Sequence, residues 1–239
     1  MHRLIRTSLV SAAALVVSLI SMASAQAAES NRSPVYGPHA HPYGSSLQGW
    51  AEHFWQRVMN VPLDHNPMAD QTGVDCAQGQ PHSQVWFLSG SFGPTTTTAV
   101  RSCTVPRHRA LVIPLAGYLN DYPCPDSTFQ PAPGQSLEQF LLAGAKKVID
   151  PIDEITLTID GSPVTGLFDY RSTTHLLTFT GDASLQPIDS CITGKPQLGV
   201  ADGYTVVVKP LPTGIHSIAF TTHSAAGPAR SFSYTITVS

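Results

Sequence analysis

The C-terminal third of the chain alternates. From Glu154 onward it breaks into short runs, EITLTIDG, SPVTGLFDYR, HLLTFTG, GYTVVVKPL, GIHSIAFTTHS and SFSYTITVS, divided by Gly, Pro and polar residues. In SFSYTITV, Phe232, Tyr234, Ile236 and Val238 all point one way, because successive side chains of a strand project to opposite faces. In GIHSIAFTTHS, Ile215, Ser217, Ala219 and Thr221 share one face and His216, Ile218, Phe220 and Thr222 the other. A period of two over many short segments is incompatible with a helical bundle and demands a sheet with one covered face. Upstream, QVWFLSGSF, TTTTAVRSCTV and RALVIPLAGYL read as further strands, and Asp160-Gly161 as a tight turn. The expected fold class is mainly β: an antiparallel β-sandwich with two α-helices packed on it.

The two helices interrupt this texture. In LQGWAEHFWQRVMN, apolar residues fall at 47, 50, 51, 54, 55, 58 and 59, Ser45 and Gln48 have capping-box spacing, and Pro62 follows. This predicts a helix near 46–60. At about 100° per residue its apolar arc spans about 180°, wider than an ordinary surface stripe, so the helix is expected to be wedged into the sandwich around Phe54 and Val58. His53 and Arg57 fall on the polar side next to Trp50. With Trp86 of the VWFL run, Trp50, His53 and Arg57 are the candidate ligand-binding residues. In SLEQFLLAGAKKVID, Ser136 and Gln139 repeat the capping-box spacing, Leu137, Phe140, Leu141, Ala145 and Val148 make a stripe, and Pro151 stops a helix expected at 137–149. Lys146 and Lys147 lie near its C-terminal end, where the helix dipole favours cations.

The N-terminus sets the compartment. Arg3 and Arg6 precede an apolar run from Leu9 to Met22, and Ala23-Ser24-Ala25 supplies a small-x-small cleavage site. Residues 1–25 therefore read as a secretory signal peptide, and the mature protein as secreted or periplasmic with no membrane span after cleavage. Residues 26–44, rich in Pro and Gly, are expected to form a flexible N-terminal arm, and 45–239 a single domain. Residues 1–25 hold two of the thirteen Lys+Arg and none of the sixteen Asp+Glu, so the mature formal charge is −5. That mild acidity without a basic stripe argues against a nucleic-acid partner.

Export makes the four cysteines, Cys76, Cys103, Cys124 and Cys191, candidates for two disulfides among three connectivities. The favoured pairing is Cys76–Cys103, bracketing runs that could be neighbouring strands, with Cys124–Cys191 closing a longer loop. No C-x-x-C spacing supports a zinc site.

Chemistry is harder to place. The chain has no G-x-S-x-G elbow, H-E-x-x-H, P-loop or G-x-G-x-x-G. The richest polar cluster is the loop from Asp64 to Asp75. Asp64, Asn66, Asp70 and Asp75 offer hard oxygen ligands of the kind calcium takes, without EF-hand spacing. His39 and His41 form an H-x-H pair whose imidazoles lie on one side of an extended chain and could share copper. Otherwise no cofactor is expected. The first functional expectation is a non-catalytic binding protein of the cell envelope or extracellular space, for a carbohydrate or a protein. The alternative is a secreted hydrolase of ester or glycoside bonds, with a non-standard site drawn from Asp64, His65, Asp70 and His82.

One resemblance covers most of the mature chain. The aromatic-rich helix is followed by N-P-x-x-D-x-T-G-x-x-C (Asn66, Pro67, Asp70, Thr72, Gly73, Cys76), by V-W-F-L-x-G (Val85 to Gly90) and by R-x-C-x-V-P (Arg101, Cys103, Val105, Pro106). In this order the phrases resemble an uncharacterised group of secreted bacterial proteins, and the last strands resemble those of immunoglobulin-like modules in secreted bacterial proteins. The resemblance implies export, a Cys76–Cys103 bridge and one compact unit. It implies no activity.

Overall fold

The computed structural model describes residues 33–93 and 97–239. The expected signal peptide, and residues 26–32 of the expected arm, lie outside the described residues. Pro34–Ser239 form one unit.

Among the described residues, ten strands make two five-stranded sheets. Sheet A contains β1 (Val85–Phe87), β3 (Ala110–Tyr122), β8 (Pro196–Val208), β6 (Arg171–Thr173) and β7 (Leu177–Thr180), in the order β1-β3-β8-β6 with β7 also paired to β8. Sheet B contains β2 (Thr98–Val105), β10 (Gly227–Val238), β9 (Gly214–Ser224), β4 (Ile152–Ile159) and β5 (Ser162–Pro163), in the order β2-β10-β9-β4-β5. The two sheets follow different sequence patterns for one reason. The inner strands of sheet A, β3 and β8, read as nearly continuous apolar runs and are buried over most of their length, because helices cover the sheet as well as sheet B. The strands of sheet B alternate, and β2 runs strictly exposed-buried over eight residues. Phe220, Phe232, Tyr234 and Ile236 point into the core while Val100 and Ile215 stand outside.

The expected sandwich with two helices is present, and its sheets are mixed rather than wholly antiparallel. Each carries one parallel edge: β1 beside β3, and β2 beside β10. Strand β2 is joined to β3 through residues 106–109 yet lies in the other sheet. A chain that leaves sheet A after β1, descends in sheet B and returns re-enters sheet A in its first direction.

The first helix, α1 (Leu47–Val58), buries Leu47, Trp50, Ala51, Phe54, Trp55 and Val58, as its wide apolar arc requires. Its cap is Ser46, not Ser45: the Ser46 hydroxyl accepts the Gly49 N–H at 3.2 Å. The preceding turn, Pro42–Gly44, takes the Ser45 N–H for its own closure onto the Pro42 carbonyl and delays the helix by one residue. The second helix, α2 (Leu137–Ile149), has the full capping box from Ser136 and Gln139. Its buried side is Leu141, Ala145 and Ile149, while Val148, expected in the stripe, is exposed. Phe140 instead packs on Phe129 of the proline-rich excursion, with ring centroids 4.8 Å apart.

Within the expected arm, residues 34–36 pack against sheet A. Val35 is 1% exposed and bridges to Val208, the Tyr36 N–H donates to the Val207 carbonyl, and the Lys209 N–H donates to the Pro34 carbonyl. The chain is closed by two disulfides, Cys76–Cys103 and Cys124–Cys191. Among the described residues no helix is long and apolar enough to cross a membrane.

Candidate functional site

The polar loop after α1 is consumed largely by its own construction. Asn66 is buried, and its amide donates to the Val58 carbonyl at 2.7 Å and the Val61 carbonyl at 2.9 Å, while its oxygen accepts the Met68 N–H. It thereby satisfies carbonyls that the end of α1 leaves open. The Asp70 carboxylate accepts the Thr72 N–H at 2.7 Å, the Thr72 hydroxyl at 2.9 Å and the Asp75 N–H at 3.0 Å. Burial raises the Asp70 pKa, but these bonds, with another from the Gly73 backbone, outweigh it and hold the group below its ordinary range. Lone pairs engaged by N–H and O–H donors are not offered to a cation. His65 lies 3.3 Å from Asp75 and 3.8 Å from Asp64, at the surface. His82 is exposed on the segment entering β1.

Trp50 divides its two ends between roles. Its indole N–H donates to the Pro42 carbonyl at 3.1 Å and its ring meets Phe87 and His53, so it is a core residue that anchors the N-terminal segment. His53 and Arg57 are exposed beside it. Arg57 borders a crevice with Phe54, Gly79, Gln80 and Phe87 whose free space, about 10 Å³, is on the scale of one water molecule. Gln80 seals it by donating to the Phe87 carbonyl and accepting the Phe87 N–H, closing the edge of β1 as a strand would. Trp86 is half-buried. His39 and His41 are exposed on the segment before the Pro42 turn.

Two features escape the sequence reading. The first is Arg101, 1% exposed in β2. Its guanidinium donates to the Asp70 carbonyl (2.7 Å), the Ser89 carbonyl (2.5 Å) and the Tyr234 hydroxyl (2.5 Å), and lies over the rings of Phe232 and Tyr234. The strict alternation of β2 placed Arg101 on the same face as Ala99, Cys103 and Val105, which is the signal that could have found it.

The second is an aromatic surface. Tyr36 and Tyr43 meet edge to face with centroids 6.2 Å apart. Tyr43 sits at φ 56°, a left-handed conformation uncommon for a residue with a side chain, and is 37% exposed. Burial of its hydroxyl and the contact with Tyr36 push its pKa up to about 12. The Lys209 ammonium lies 5.8 Å from the Tyr36 ring, and the Tyr170 hydroxyl donates to the Tyr36 carbonyl. Tyr170 closes the short turn Leu167–Tyr170, which displays Phe168, 48% exposed, edge-on to Tyr204. Arg171 follows directly. Its guanidinium lies over Tyr204 and grips the fully buried Asp202 side chain through two bonds, with Asp150 as a third partner at 2.5 Å. The hydrogen bonds it donates to Asp202 lead the causes that raise its pKa. Tyr43 and Phe168 are thus both exposed, joined through Tyr36 and the Tyr170 hydroxyl, with Lys209 beside the Tyr36 ring and Arg171 over Tyr204.

No protein-family model and no curated protein matches the chain. Two solved structures are similar to it in part. The cysteine protease inhibitor EhICP2 from Entamoeba histolytica is 12% identical, with 66% of this chain and 99% of that chain covered, at a TM-score of 0.25. Amebosin is 13% identical, with 62% and 100% covered, at a TM-score of 0.20. Agreement this loose carries no argument about function.

Proposed function

We propose that this is an exported, non-catalytic binding protein that takes a protein partner on the aromatic surface around Tyr43 and Phe168. The observation that carries the reading is Tyr43 itself: an exposed aromatic ring held in a left-handed backbone conformation. Such conformations cost of order 1–3 kcal/mol and persist where the surroundings enforce them, often at ligand clamps. The composition of the surface supports the same reading. Tyr and Arg are among the side chains that dominate binding energy at protein interfaces, and Phe is enriched there. Arg171 is pre-ordered by Asp202 and Asp150, so docking against it immobilises no further side chain. The disulfides and the leader-like N-terminus support an exported setting.

The test is site-specific photocrosslinking in the native envelope or secreted fraction, with the crosslinker at Tyr43, at Phe168 and at Val100 on the opposite-facing sheet B as control. One shared protein adduct at the first two positions, absent at Val100 and lost in Arg171→Ala, is expected. Adducts at all three positions alike would overturn the assignment. So would binding of a glycan in an array that Tyr43→Ala and Phe168→Ala leave unchanged.

A further inference from the structure

Away from the aromatic surface, Asp121 at the end of β3 and Asp189 in the segment before β8 place two carboxyl groups within 4.8 Å of one another, with the Cys191 sulfur. Asp121 is 3% exposed. Its surroundings fix where a proton can be. The Gln197 side chain is locked by Thr193, whose N–H and hydroxyl both donate to its oxygen at 2.9 and 3.1 Å. Its amide N–H groups are therefore turned to the Cys191 carbonyl and to one Asp121 oxygen, which must accept. The Asp189 carboxylate likewise accepts the Cys191 N–H at 3.0 Å. Two anions this close, one of them sealed from water, cannot both stay charged without a cation between them. Gln197 from β8 is neutral, Cys124 and Cys191 are bonded to each other, and the Tyr118 phenol on the same strand has its pKa raised by burial and then by the charges of Asp189 and Asp121. The α2 helix on the same strand presents its Leu141 carbonyl to Asn120, and its Lys146 and Lys147 are exposed.

We propose that Asp121 and Asp189 share one proton and thereby form a pH-sensitive latch that holds residues 186–191 against the end of sheet A. The segment is suited to such a device. It is anchored in the core on both sides, by Leu185 and by Ile192, and stapled by Cys124–Cys191, while Gln186, Ile188 and Ser190 between them are exposed. It can therefore open locally without unfolding the sheets. The arrangement is not a catalytic acid pair, because Gln197 and the disulfide enclose Asp121. The latch is independent of the aromatic surface and stands or falls separately from it.

Burial and then the Asp189 charge raise the Asp121 pKa to about 8. In an opened segment Asp121 returns to the ordinary carboxylate range near 4. The closed state thus holds one more proton than the open state between about pH 4 and 8. The opening constant then rises by up to about tenfold per pH unit across that interval and levels off above it.

The experiment is hydrogen exchange of the oxidised, full mature protein between pH 5 and 9, corrected for intrinsic exchange, with carboxyl ¹³C NMR titration of the same sample. The expected result is protection at 186–193 falling towards tenfold per pH unit up to about pH 8 and then flat, with one carboxyl of the pair titrating near 8. Asp189→Asn, which keeps shape and removes one charge, should shallow the pH slope and end it below pH 8, because burial of Asp121 remains, and Asp121→Asn should abolish it. Protection that is flat from pH 5 to 8 in the unaltered protein, or two carboxyl groups both titrating below 5, would overturn the latch without any variant needing to fold.

Discussion

The Arg101 guanidinium and the Tyr234 hydroxyl are 2.5 Å apart, on the parallel neighbours β2 and β10. They fasten three parts of the chain at once, since the Tyr234 hydroxyl also donates to the Ser89 carbonyl and Arg101 reaches back to Asp70 in the loop after α1. The cation has carbonyl and phenol oxygens and two aromatic faces as its partners, and these offset its desolvation only while all of them stay in place.

Arg101→Ala is accordingly expected to destabilise the fold by about 3–5 kcal/mol, because it opens a cavity the size of a large side chain and deprives the Asp70 carbonyl and the buried Ser89 carbonyl of a donor. Tyr234→Phe removes one hydroxyl and leaves buried partners unmet, at about 1–3 kcal/mol. Urea unfolding followed by tryptophan fluorescence measures both. If the two losses add fully in the double variant, the residues do not act as one network, since coupled neighbours should fall short of additivity.

The disulfides give a second expectation. Cys76–Cys103 closes 27 residues and Cys124–Cys191 closes 67. The chain-entropy relation assigns about 3.5 kcal/mol to the first bridge and about 4.4 kcal/mol to the second. Replacing each pair by serine should lower the unfolding midpoint in that order, and non-reducing peptide mapping should recover only these two linkages. A mixed linkage such as Cys103–Cys124 would refute the pairing.

What the sequence disclosed follows the distance over which each feature is decided. The capping box at Ser136 and Gln139 is a four-residue event and was legible. The alternation of β10 was legible because sheet B has one open face. The parallel edges were not, since they depend on β2 and β3 lying in different sheets, which no local pattern records. The cap of α1 slipped by one residue because the Pro42 turn competes for the Ser45 N–H. Arg101 and the aromatic surface were missed for related reasons. A buried cation contradicts the usual burial preference, Tyr36 and Tyr43 meet beside β8 only once the N-terminal segment docks there, and Phe168 rests on Tyr204 of that strand.

Stability should fall as the solution is made alkaline. Asp121 has a folded pKa of about 8, raised by burial. His216 is also raised, first by its bond to Asp160. Both groups favour the folded state when protonated, so their contributions are complete below their unfolded values, near 4 and 6.5. They are lost as pH rises through the folded values. Asp70 and Asp160 act oppositely: hydrogen bonds hold them low, and their contributions disappear only at acid pH. The thermal midpoint should therefore peak near pH 5 and decline towards pH 8.5, with a limiting slope of about 1.4 kcal/mol per pH unit for each proton involved. Asp121→Asn should flatten most of that decline. A midpoint that climbs between pH 5 and 8 would contradict it.

Tyr43 separates binding from folding most sharply. Its φ of 56° disfavours any residue carrying a side chain. Tyr43→Gly relieves about 1 kcal/mol of backbone strain while deleting the ring that meets Tyr36. The two effects oppose each other, so the unfolding free energy should change by less than about 1 kcal/mol. If the ring contributes to partner binding as a buried hot spot does, the same change should weaken association by about 2 kcal/mol or more, roughly thirtyfold. Tyr43→Phe, which keeps the ring and the strain, should retain most of the affinity. Measuring stability by denaturant and affinity by titration calorimetry on the three proteins distinguishes the roles: a Tyr43→Gly variant that binds as tightly as the natural chain leaves the strained tyrosine with no part in recognition.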